Sequence, residues 1–210
     1  MRVLAFDLST SSGVGVLDHD PATNVTTLVH YATVANKKTA AEYAKYPFGP
    51  MLAARDMVSK LLPYVQQYKP DTIVIEEINI SRFSGRYSQK LLDFIHCLLM
   101  VELHAMDWTD TNVKYISTSV WRKAVGIELT KEQRKQNQRL GKASREAKRR
   151  GEKLDKAALG IAGKISKKHL AVAWANERFG LALRPKDNDA SEALAQGVAY
   201  LMGSKLCDGK

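Results

Sequence analysis

The chain has 210 residues, 45% of them hydrophobic, with 32 Lys and Arg against 22 Asp and Glu and a formal charge of +10. That length fits one substantial domain, or one domain with an insertion, and the apolar fraction suffices for a real core. No apolar run approaches the ~18 residues that span a bilayer, and the apolar opening before Asp7 is too short for a secretion signal, so a cytoplasmic location without a membrane partner is expected. The positive surplus speaks about partners and not about fold, and a polyanion such as nucleic acid leads, because neutralised phosphates release condensed counterions.

Val3 to Asp7 reads as a short buried strand. After the polar turn Ser9 to Gly13, Val14 to Leu17 reads as a second strand paired with it as a hairpin, and the β-rich stretch Asn24 to Val34 as a third. Pro47 and Pro50 are read as a break. Met51, Ala54, Val58, Leu61, Leu62, Val65 and Tyr68 then recur at helical spacing. Thr72 to Ile75 is a nearly all-apolar run, as expected of a strand buried on both faces, and it ends on Glu76-Glu77. Ser88 to Met106 is a second long helical pattern that includes Cys97, expected in the core; Cys97 and Cys207 make neither a metal-ligand spacing nor a disulfide framework. Val113 to Ile116 is a fifth strand, and Thr118 or Ser119 is read as the cap of a short helix through Ala124.

Composition then shifts. Lys131 to Lys156 is rich in Lys, Arg and Gln and poor in large apolar residues, so residues 129–164 read as a basic insertion, either a solvated helix or a segment that orders on nucleic acid. Amphipathic helices return at Ser166 to Phe179 and Asp189 to Met202. The order β-β-β-α-β-α-β, followed by helices, predicts an α/β fold: a mixed five-stranded sheet flanked by helices in one domain spanning 1–210.

Chemistry concentrates on four acids. Asp7 and Glu76 each end an apolar strand, and Asp189 and Glu192 share a face in the first turn of a helix. If the first and fourth strands are neighbours, Asp7 and Glu76 lie side by side at one sheet edge, with the last helix delivering the other pair opposite. Such a cluster needs a cation, because like charges repel and lose hydration; Mg²⁺ suits oxygen ligands. Two ions about 4 Å apart can promote phosphodiester hydrolysis. Each acid also has a plainer explanation: Asp7 as a turn residue, Glu76 as a solvated end, and Asp189 and Glu192 as opponents of the helix dipole. The Asp7 to Gly13 turn also resembles the phosphate-binding opening of sugar kinases and actin-like proteins, but those need two copies of the fold.

Taken in order, these motifs resemble the RuvC family of Holliday junction resolvases. Ala5 to Thr10 with Gly13 to Gly15 is similar to its first acidic motif and Pro70 to Glu77 to its second. Ser81 to Val101 and Val120 to Gly126 are similar to its intervening segments, and Asp189 to Ala195 to its closing motif. The resemblance covers 1 to about 126 and about 165 to 203. It implies a ribonuclease-H-like fold and a homodimer that cuts opposed strands of a four-way DNA junction. It also implies Asp7, Glu76, Asp189 and Glu192 as catalytic metal ligands for Mg²⁺, with Mn²⁺ as a substitute.

The chain departs from the pattern of the cellular members. Glu192 stands where they usually have Asp. Asn79 stands at their aromatic wedge, with Phe83 or Tyr87 as substitutes. The basic insertion is extra. Such divergence is closer to phage members, which accept several branched DNAs and act in the host cytoplasm. Glu77 and Asp187 are near enough in sequence to assist the metals.

Expected phosphate contacts are Arg82, Arg86 and Lys90 after the second acid, the patch Trp121, Arg122 and Lys123, and Arg134 and Arg139 of the insertion. Phosphate contacts position a duplex without reading bases, so branch recognition would come from geometry and bending. Two rivals stay open at this level: a non-catalytic nucleic-acid-binding module on the same fold, and a ribonuclease acting on RNA–DNA hybrids.

Overall fold

The computed structural model describes residues 1–36, 48–77, 86–155 and 163–203, with the backbone alone for 86–89. Five strands, β1 (Arg2–Asp7), β2 (Ser11–Asp20), β3 (Val25–Ala35), β4 (Thr72–Glu76) and β5 (Val113–Ile116), form one sheet in the order β3-β2-β1-β4-β5. β1 pairs antiparallel with β2 and parallel with β4; β2 and β3 are antiparallel, and β4 and β5 parallel. The sheet is therefore mixed, as expected. The parallel joins cross over through α1 (Phe48–Tyr68) and α2 (Arg86–Ala105), which cover one face together.

The strands show why they take these places. Val3 to Phe6 and Ile73 to Ile75 are 0% exposed, so the central strands are buried on both faces. β3 alternates exposed with half-buried residues, as an edge strand does, and a bulge between Val16 and Leu17 shifts its register against β2.

α1 begins at Phe48, between the two prolines of the expected break. Pro50 lies in its first turn, where the missing N–H has no helical acceptor to lose. On α2 the outcome for Cys97 differs from expectation: the thiol faces solvent, while Leu91, Ile95, Leu99 and Leu103 point into the core. An apolar helix carries one outward residue per turn, and Cys97 holds that place. Cys207 lies outside the described residues.

The other face is covered by α3 (Thr118–Ala124), α5 (Lys167–Phe179) and α6 (Asn188–Leu201), with a 3₁₀ turn at Pro185–Asp187 before α6. α6 crosses β1 and β2 closely, because small residues meet there. A Cβ on Gly15 would come within 3.0 Å of the Leu194 side chain, and one on Gly197 within 2.7 Å of Leu17 Cδ1. Within the basic stretch, α4 (Lys131–Arg150) is a solvated helix. Thr130 and Gln133 close a capping box at its start, Gly151 takes the left-handed cap at φ 72°, and Leu140 is its buried residue. No helix among the described residues is long and apolar enough to cross a membrane.

Candidate metal centre

The parallel ladder pairs Phe6 with Ile75, so the next residues, Asp7 and Glu76, end adjacent strands at one sheet edge. Asp7 is also paired with Gly13 of β2, whose missing side chain lets the start of α6 approach. The three carboxylates of Asp7, Asp189 and Glu192 then converge, each offering an oxygen within 4.8 Å of the others.

Burial separates the readings of the helix pair. Asp189 is 8% and Glu192 3% exposed. An acid that only opposes a helix dipole gains nothing from burial and loses hydration by it. The Asp7 carboxyl is pushed well above its ordinary range by burial, with the charges of Glu76, Glu192 and Asp189 adding and Lys168 opposing. A group that resists ionisation this way is set where a cation is wanted.

Among the described residues, two cations already answer the charge. Arg122 Nη2 donates to Glu192 Oε1, with its guanidinium 4.8 Å over the Trp121 ring. Lys168 Nζ lies 3.3 Å from Asp189 Oδ1 and 3.7 Å from Glu192 Oε2. Burial works against the Lys168 ammonium, but Glu192 and Asp189 outweigh it and raise its pKa.

Glu76 stands apart from its three expected partners. It adjoins the cluster, but both its oxygens accept protein hydrogen bonds: Thr118 Oγ1 at 2.5 Å on Oε1, and Trp121 Nε1 at 3.0 Å and Gln196 Nε2 at 3.3 Å on Oε2. Burial raises its pKa while the Thr118 and Trp121 bonds lower it. About four lone-pair sites are available on a carboxylate, so Glu76 keeps limited capacity for a metal.

Other expected residues fall as follows. Trp121 is 0% exposed and gives its N–H to Glu76, so it belongs to the core beneath the centre and not to a DNA-contacting surface. Arg122 turns inward to Glu192 and leaves the surface patch for the same reason; Lys123 stays exposed. Lys90, Arg134 and Arg139 are exposed on their helices. Arg82, Asn79 and Phe83 lie outside the described residues, and the side chains of Arg86 and Tyr87 are not described. Glu77 is exposed and outside the three-acid group. Asp187 accepts from Arg184 N at 2.9 Å, which lowers its pKa and makes it a turn cap.

The site also recruits residues that sequence reasoning missed. The sequence offers Thr118 or Ser119 as the helix cap, yet Ser117 occupies the cap position and Thr118 donates to Glu76. Gln196 carried a signal: it follows Asp189 and Glu192 at seven and four residues, a lone polar side chain on the same face of an Ala- and Leu-rich helix. Lys168, in the first turn of α5, carries no local signal that sets it apart from the neighbouring lysines.

No protein-family model and no curated protein sequence matches the chain. Solved structures do. A Thermus thermophilus RuvC in complex with a Holliday junction substrate superposes with a TM-score of 0.61 at 12% identity, covering 98% of this chain and 99% of that one. Another Thermus thermophilus RuvC structure gives 0.59 at 13% identity over 98% and 99%. The yeast mitochondrial Holliday junction resolvase Ydc2 gives 0.53 at 10% identity over 96% of this chain and 78% of that one. At such identities the likeness is one of fold, and the fold is the ribonuclease-H-like one that the motifs implied.

Proposed function

We propose that this protein is a metal-dependent, structure-selective DNA endonuclease of the RuvC type, which hydrolyses phosphodiesters at four-way junctions and other branched DNA. The observation that carries the reading is the convergence of Asp7, Asp189 and Glu192 within 4.8 Å at the sheet edge. The fold shared with two junction resolvases, one of them holding a Holliday junction, supports the substrate class.

The donors suit a hard divalent cation: they are all oxygen, close together, poorly hydrated and already faced by the Lys168 ammonium. Asp7, Asp189 and Glu192 would hold the ion, with Glu76 beside them. Mg²⁺ is the natural ion and Mn²⁺ its substitute; when bound it supplies positive charge to the attacking and departing oxygens of an in-line displacement. Gly13 and α6 fix the spacing of the acids. Thr118, Trp121 and Gln196 hold Glu76 in one orientation, so little reorganisation is left for the reaction. Lys168, with its side chain 54% exposed, can turn from the acids toward a phosphate at the rim.

The exposed Lys90, Lys123, Arg134 and Arg139 contribute phosphate contacts that position the duplex. A homodimer would present two such centres to opposed strands, since a two-fold interface repeats every site on both copies. Divergence from the cellular motifs supports a phage-type member. The test is one assay: cleavage of a four-way junction, a linear duplex and an RNA–DNA hybrid, with and without Mg²⁺. Mg²⁺-dependent cutting of the junction is expected. Binding without cutting would make the chain a non-catalytic module, and cutting confined to the hybrid would make it a ribonuclease.

A further inference from the structure

Arg122 and Lys168 both face the acids, but they are held differently. The Arg122–Glu192 pair is closed in, with side chains 19% and 4% exposed. The guanidinium is packed over Trp121, and its buried Nε has no hydrogen-bond partner among the described residues. Arginine cannot escape this environment by losing its proton. The Lys168 side chain is 54% exposed and meets its acids at longer range.

We infer that Arg122 is a resident counter-cation of the acid centre, and that its fixed charge limits the protein without DNA to one tightly held divalent ion. The inference rests on the metal reading above. Glu192 keeps Oε1 on Arg122 and turns Oε2 toward the space where Lys168 Nζ now stands. Lys168 is the cation that yields. Asp7, Glu76, Asp189 and Glu192 bring four negative charges at most, and Arg122 offsets one. A single divalent ion leaves one negative charge. A second overshoots in a poorly hydrated site, and the phosphate needed to balance it is part of the substrate.

The test uses the full chain without DNA, with Mn²⁺ alone as the probe. Binding is followed by titration calorimetry and by the spin-resonance signal of the free ion, and folding by thermal denaturation. The wild type is expected to take up one tight ion. Arg122→Gln should bind Mn²⁺ about tenfold tighter or gain a second ion, because a positive charge a few ångströms away is removed. Its melting temperature should also respond more to Mn²⁺ than that of the wild type. Arg122→Lys keeps the charge and should keep the wild-type stoichiometry.

Two equally tight ions in the wild type would overturn the inference. Unchanged or weaker binding in Arg122→Gln would do so too, since Arg122 would then be a strut for Glu192. If Arg122→Gln does not fold, the wild-type stoichiometry and Arg122→Lys still decide. A wild type that binds no Mn²⁺ at all sinks the metal reading instead, which is a different result.

Discussion

Gly13 lies directly beneath the backbone of Asp189: a Cβ at Gly13 would fall 1.9 Å from the Asp189 carbonyl oxygen and 2.3 Å from its carbon. Gly13 is also the ladder partner of Asp7. One position on β2 thus sets the gap between the acid of the sheet and the acids of the helix.

Gly13→Ala should therefore be severe, because the obstructing atoms are backbone and cannot turn aside. A loss of about 2–4 kcal/mol is expected, with a fall in melting temperature of about 2–4 °C for each kcal/mol. Cleavage should fall further than stability does, since the start of α6 must move away from Asp7. Gly197→Ala is the control. Its Cβ would meet Leu17 Cδ1 at 2.7 Å, the end of a flexible side chain, so its cost should be the smaller. Equal effects from the two substitutions would argue against Gly13 as the spacer of the site.

Asp7→Asn should abolish cleavage, preserve junction binding and stabilise the metal-free protein. The Asp7 pKa is raised in the folded state by burial and neighbouring acids. The folded form therefore holds that proton more firmly than the unfolded chain. Its contribution to stability is complete below the unfolded value near 4 and is lost as pH rises through the folded value. At neutral pH without metal the ionised Asp7 is a burden, and Asn removes it for a gain of about 0.5–2 kcal/mol. Thermal denaturation with and without Mn²⁺ checks this. The variant should melt higher than the wild type without metal and gain less from Mn²⁺. Full activity in Asp7→Asn would remove Asp7 from the site.

The sequence made Asp7 and Glu76 visible because an acid at the end of an all-apolar run is a local anomaly. Asp189 and Glu192 were visible because their spacing puts them on one helix face. The mixed sheet followed from runs whose periodicity was clear. What stayed hidden was direction. Trp121-Arg122-Lys123 has the composition of a surface patch, yet the short helix α3 turns Trp121 and Arg122 under the acids and leaves only Lys123 outside. Neighbours in sequence point about 100° apart on a helix, and which way the set faces depends on packing against α6. Cys97 was misplaced for the same reason. Lys168 meets Asp189 from another helix across 21 residues, and no local pattern encodes that approach.

The bonds to Glu76 give another prediction. Trp121→Phe keeps most of the buried ring but removes the shorter of the two bonds to Oε2, and Thr118→Val removes the donor to Oε1. Each should cost about 1–3 kcal/mol, as expected when a buried carboxylate loses a partner. Each should also lower the cleavage rate more than junction affinity, because Glu76 is left free to reorient. Thr118→Ser keeps the hydroxyl and should restore most of the rate. Rates and affinities that fall together in all three variants would reduce this network to a support of the fold.

His96 carries a pH dependence unrelated to the acid centre. It is 8% exposed on α2 and stacks on Tyr115 at 6.2 Å. Burial lowers its pKa to about 4, against a weak opposing pull from Asp93. The unfolded chain takes up this proton near pH 6.5 and the folded protein only near pH 4. Stability should therefore be unaffected above about pH 7 and fall as pH drops through that window, by up to about 3 kcal/mol. His96→Phe should lose this part of the acid sensitivity in denaturant titrations at pH 7 and pH 5. An unchanged difference between the two pH values would assign the acid sensitivity elsewhere.

α4 separates anchoring from charge. Leu140 is buried, and Asn137 exchanges hydrogen bonds of 2.7 and 2.9 Å with the backbone of Ile165, so one side of the helix is docked. Arg134, Arg139 and Lys142 are exposed on the remainder. If α4 lies along phosphates, changing these three to Ala should weaken four-way-junction binding and leave Mn²⁺ uptake by the acids unchanged. The plot of log affinity against log salt should flatten by about 0.9 for each phosphate that the variant no longer neutralises. Leu140→Asp should undock the helix and weaken junction binding while the local charge changes by only one unit. That comparison distinguishes a placed helix from a loosely attracting cationic tail. Deletion of residues 131–156 should combine both effects. A salt slope that survives the deletion unchanged would show that the basic stretch does not touch the DNA, and would leave Lys90 and Lys123 as the residues to test.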